Sequence, residues 1–96
     1  MNERFKLVLV KLVSVDVDAP NFTKYDFGKK YLAIKDSKDK NQPYGIINGF
    51  VDMAKLLMEI KESNKLGIAT TGLCFCGEYD RVSWELEHDY KFEEVE

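Results

Sequence analysis

The stretch 43-PYGIINGFVDMAKLLMEIKES-63 carries the strongest periodic signal in the chain. Its apolar residues Ile46, Ile47, Phe50, Val51, Met53, Ala54, Leu56, Leu57, Met58 and Ile60 recur at helical spacing. On a wheel they span an arc of about 220°, leaving Asn48, Asp52, Lys55, Glu59 and Glu62 as a polar strip. Asn41 and Gln42 precede Pro43, which suits a first helical position because proline has no amide hydrogen to leave unpaired. Asn64 and Gly67 supply a stop. The expectation is one long helix from Pro43 to about Ser63, with an apolar stripe wider than a single sheet contact requires.

Strands are expected on either side of it. In Phe5 to Val17, Phe5, Leu7, Leu9, Val13, Val15 and Val17 share one face, and Val8, Val10 and Leu12 line the other. Apolar residues on both faces indicate a strand covered on both sides. Ala19-Pro20-Asn21 ends it and opens a loop to Lys29. Tyr31 to Lys35 reads as a second strand, Leu66 to Cys76 as a third, and Asp80 to Phe92 as a fourth with nearly strict alternation. In that last segment Val82, Trp84, Leu86, His88, Tyr90 and Phe92 point one way, and Arg81, Ser83, Glu85, Glu87, Asp89 and Lys91 the other. The order β-β-α-β-β predicts a two-layer α+β domain over residues 1–96: a mostly antiparallel sheet of about four strands with the helix on one face. One helix covers one face, so Val8, Val10 and Leu12 on the other lack an internal partner, and an exposed apolar patch of that kind marks a contact site.

Composition narrows the setting. With 96 residues, 45% hydrophobic and 32% charged, the chain has the make-up of a globular domain. Leu7 to Val13 is apolar, but Lys11 interrupts it and acids follow where a cleavage site would stand, so no secretion signal is read. The longest run without charge, Leu66 to Gly77, is too short for a membrane helix. Cys74 and Cys76, one residue apart, are too far apart on a strand for an easy disulfide. A cytoplasmic location is expected.

Candidate chemistry is sparse. Cys74 and Cys76 lack the further ligands a zinc site needs, His88 being the single histidine. Their spacing is not the C-x-x-C of redox dithiols. No metal, cofactor or catalytic residue is expected. Charge is divided: residues 24–40 hold six lysines against three aspartates, and residues 78–96 hold eight acids against Arg81 and Lys91. Glu85, Glu87 and Asp89, extended by Glu93 and Glu94, would form a carboxylate row able to fill a basic groove on another protein.

These features favour a non-enzymatic, acidic interaction protein that binds a protein partner or its own copy through the acidic sheet face, the apolar patch, or both. Size, acidity and the lack of a catalytic motif resemble the small accessory proteins of phages and mobile elements, inhibitors of host nucleases among them, a likeness of composition alone. One alternative is a small ligand-binding or thiol-dependent enzyme domain with its pocket between helix and sheet, lined by Cys74, Cys76, His88 and Tyr90. The second is a single-stranded nucleic-acid binder using the Lys24 to Lys40 region, where Phe22, Tyr25, Phe27 and Tyr31 are interleaved with lysines. Net acidity, −3 overall, opposes that reading.

Overall fold

The computed structural model describes residues 3–16, 18, 25–48, 52–70 and 82–95. Five strands and one helix follow the order β1 (Phe5–Val15), β2 (Lys30–Asp36), β3 (Tyr44–Ile47), α1 (Met53–Leu66), β4 (Val82–Trp84) and β5 (Tyr90–Glu94). They form an α+β fold with one antiparallel sheet in the order β4-β3-β2-β1-β5. The expected sheet of about four strands in the order β-β-α-β-β is corrected to five strands in the order β-β-β-α-β-β. Among the described residues no helix is long and apolar enough to cross a membrane.

The extra strand comes out of the segment read as the first turns of the helix. Tyr44 to Ile47 pairs with both β2 and β4. Two short-period preferences decide this. Ile46 is fully buried on one sheet face while Ile47 packs against the other, and Gly45 weakens a helix there. Gly45 stands opposite Trp84, whose ring covers it: a Cβ at position 45 would lie 2.7 Å from Trp84 Cε2 and 2.8 Å from Val82 Cγ1. Gly45→Ala is therefore expected to destabilise the fold by about 1–3 kcal/mol through overpacking. Urea unfolding checks this, and an unchanged midpoint would mean that Trp84 moves aside at no cost.

The helix itself starts at Met53, ten residues after the expected Pro43, where Asp52 caps it by accepting from the Lys55 amide at 3.3 Å. It ends at Leu66, with Gly67 in the left-handed region (φ 77°) donating its amide to the Ser63 carbonyl. Leu66 to Thr70 is thus helix end and connection, not the start of a third strand; the rest of that expected strand, to Cys76, lies outside the described residues. Leu56, Ile60 and Ser63 are the buried helix residues. With Phe5, Ile34 and Val82 of the sheet, Leu56 and Ile60 form one of two cores among the described residues. Asn64 fixes the docking angle by treating β1 as a strand would. Its side chain accepts from the Phe5 amide at 2.7 Å and donates to the Phe5 carbonyl at 2.9 Å, at the end of β1 that β5 does not reach.

The second core lies on the other sheet face and explains how Val8, Val10 and Leu12 find partners. A register irregularity between Leu12 and Ser14 shifts the phase of β1. Val15 consequently packs with Val8, Val10 and Leu12, and not with Phe5 and Leu7 as simple alternation predicts. The sheet also curls. Glu94 on β5 reaches Lys35 Nζ on β2 at 2.9 Å and the Tyr44 hydroxyl on β3 at 3.0 Å. In a flat sheet, β5 and β3 would stand about 14 Å apart, three strand spacings. The face is therefore concave, and Tyr25 fills it.

Candidate docking surface

Tyr25 belongs to the loop after β1, yet it is only 5% exposed. Its ring meets Tyr31, Tyr90 and Phe92 edge-on, with centroids 5.3–5.4 Å away, the arrangement aromatic quadrupoles favour. Its hydroxyl donates to Glu85 Oε1 at 2.9 Å. Burial, reinforced by the Glu85 charge, holds the phenol well above the usual tyrosine range. Tyr44, at the rim, is pushed up to about 12 by burial and by its bond to Glu94. Burial also raises Tyr90. Among the described residues, the concave face is thus filled by its own aromatic side chains.

This geometry disperses the carboxylate row. The expected strand Asp80 to Phe92 is broken at a turn over Glu87 to Asp89, and its two parts, β4 and β5, lie at opposite edges of the sheet. The turn is held by the Glu87 amide on the Asn41 carbonyl at 2.8 Å and by the Asp89 and Tyr90 amides on the Leu86 carbonyl, each at 3.0 Å. Alternation in the sequence is therefore interrupted in space: Val82 packs under the helix, whereas Tyr90 and Phe92 line the concave side. Of the five acids, Glu85 serves Tyr25 and Glu94 serves Lys35 and Tyr44. The hydrogen bond from Lys35 is the main cause that lowers Glu94 below the usual carboxylate range. Asp89 stands 3.1 Å from His88 Nε2. Glu87 is exposed in the turn, and Glu93 is exposed on β5 opposite Lys11.

The residues of the two alternatives are not gathered either. His88 is exposed in the turn, where it lines an open groove with Lys40, Asn41, Leu86 and Glu87. Tyr90 is buried on the face away from the helix. The expected helix–sheet pocket is therefore not assembled from these two, and Cys74 and Cys76 lie outside the described residues. Among the described residues no cluster of three or more His, Cys, Asp or Glu is placed to hold a metal. The lysines divide between the ends of β2, with Lys29 and Lys30 at its start and Lys38 and Lys40 beyond its end. Lys24 and Phe22 lie outside the described residues. Tyr25 and Tyr31 are committed to the aromatic cluster, so Phe27, 61% exposed, is the aromatic left open for stacking in that part.

Sequence reasoning anticipated a surplus of apolar surface on the wide helix stripe and on the second sheet face. Among the described residues it is concentrated on the helix and at its end. Leu57 is 51% and Met58 67% exposed, Met53 lies beside them at 40%, and Leu66 and Ile68 are open at the helix end. At about 100° per residue, Ala54, Leu57, Met58, Lys61 and Lys65 make one strip turned away from Leu56, Ile60 and Ser63. The signal was present in the wide apolar arc. What the arc could not reveal is that its first two residues, Ile46 and Ile47, belong to a strand.

Comparison with known protein families, curated proteins and solved structures finds no match to this chain.

Proposed function

We propose that the chain is a non-enzymatic protein-binding module whose docking surface is the outer strip of α1. The observation that carries this reading is the exposure of Leu57 and Met58 on a helix whose inner side is already satisfied. Helix-borne apolar side chains at i, i+3 and i+4 are a recurrent anchor for a partner segment. A partner occluded in this way would be inhibited or regulated, in keeping with the likeness in composition to accessory proteins of phages and mobile elements.

A photo-crosslinking residue at position 58, with position 38 in the β2–β3 loop as control, tests the reading in cells of the natural source. A partner identified from position 58 is then purified and titrated. Leu57→Asp with Met58→Asp should weaken its binding by about 100-fold, ~2.7 kcal/mol. Folding stability should change by no more than about 0.5 kcal/mol per site, as expected for exposed positions. Identical crosslinks from both positions, or undiminished binding by the double variant, would refute it.

A further inference from the structure

Resting on the docking reading above, we infer that the occupant of the α1 strip is an acidic amphipathic segment of a different protein and not a second copy of this chain. The strip is divided along its length. Ala54, Leu57 and Met58 occupy its first half, and Lys61 and Lys65 its second. Among the described residues neither lysine forms an ion pair; the pairs present are Arg4–Asp36, Lys35–Glu94 and His88–Asp89, none of which includes a residue of α1. Glu62 and Lys55 stand on the flank.

Charge argues against self-association as the main use. A two-fold pairing of this strip brings four lysines into the contact, with Glu62 of each copy only on its flank, and charge desolvated without a partner is costly. A segment that follows an apolar pair with carboxylates matches both halves at once, and part of its affinity is electrostatic and sensitive to salt.

The test uses the full chain, labelled for amide NMR, and two synthetic helical peptides with the same apolar stripe. One carries glutamates beside the stripe and the other lysines. The glutamate peptide is expected to shift the amides of residues 54–65 and to bind at least tenfold more tightly than the lysine peptide. Its advantage should fade between low and high salt and should invert in Lys61→Glu with Lys65→Glu. Equal affinities for the two peptides overturn the inference. So does a dimer in light scattering that Leu57→Asp dissolves, an outcome that keeps the strip as a docking surface but makes the occupant a second copy. Binding of neither peptide to a monomeric chain also overturns it. The docking reading itself falls on separate results: identical crosslinks from positions 58 and 38, or a partner crosslinked at position 58 that is indifferent to Leu57→Asp with Met58→Asp.

Discussion

Tyr25→Ala should cost about 3–5 kcal/mol, the usual range for deleting a buried aromatic side chain. A chain of this size holds about 5–15 kcal/mol in total, and each lost kcal/mol lowers the melting temperature by about 4–8 °C. The variant is therefore expected to melt roughly 12–40 °C below the wild type, and it sits at the edge of folding. The cause is specific. Tyr25 is the one described residue of its loop that enters the concave face, where it touches rings from β2 and β5 and reaches Glu85 beyond β4. Tyr25→Phe keeps the ring contacts and gives up the hydroxyl, so it should lose only about 1–2 kcal/mol. Thermal melts of the two variants decide the point: comparable losses would mean that the hydroxyl and not the ring holds the loop in place.

Arg4→Met should be the second large effect, about 2–3 kcal/mol at neutral pH, and it should depend on pH in a defined direction. Arg4 makes a bidentate pair with Asp36, Nε to Oδ1 at 2.9 Å and Nη2 to Oδ2 at 3.0 Å, while Nη1 donates to the Gly67 carbonyl at 2.8 Å. One side chain thus joins the start of β1, the end of β2 and the C-terminus of α1. Burial alone would raise the Asp36 carboxyl; Arg4 and the Lys38 and Asp39 amides outweigh it and hold the group below its usual range. Because the native value is depressed, the stabilisation is complete above the unfolded value, about 3.9, and is lost as pH falls through the lower native one. The gap in stability between wild type and Arg4→Met should therefore be constant from pH 7 to about pH 5 and shrink on further acidification. A gap that stays the same down to pH 2 would show that Arg4 acts through its contact with Gly67 alone.

Much of the fold can be read from local pattern, and the misreadings share a cause. The two-faced apolar run in β1 identifies a central strand, and β1 does lie between β2 and β5. Tyr31 to Lys35 falls within β2. By contrast, Ile46 and Ile47 fit a helical stripe as well as they fit a strand covered on both sides. The arbiter is Gly45 under the Trp84 ring, a contact between residues far apart in sequence. Likewise, alternation from Val82 to Phe92 is kept through Leu86 and His88 although the chain turns there, because the turn is specified by backbone bonds to Asn41 and Leu86. Of the docking surface, the surplus of apolar residues was visible as a quantity. Its place was legible in part: the wide arc pointed to the helix, but curling of the sheet around Tyr25, which fills the second sheet face, follows from contacts that local pattern does not show.

The placement of β5 beside β1 also bears on how the chain acquires its structure. The β1–β2 and β2–β3 pairings join neighbours in sequence, across connections of 14 residues (16–29) and 7 residues (37–43). The β1–β5 pairing joins Val10 to Glu94, and such distant closures are slow to form because loop entropy is lost before the contact repays it. During synthesis β1, β2 and β3 can assemble while the residues of β5 have yet to be made. Until they arrive, Tyr25 and Tyr31 lack the Tyr90 and Phe92 rings that complete their cluster. The concave face is thus the last part of the protein to be sealed, and the interval before sealing is when the nascent chain is most exposed to aggregation and to chaperones.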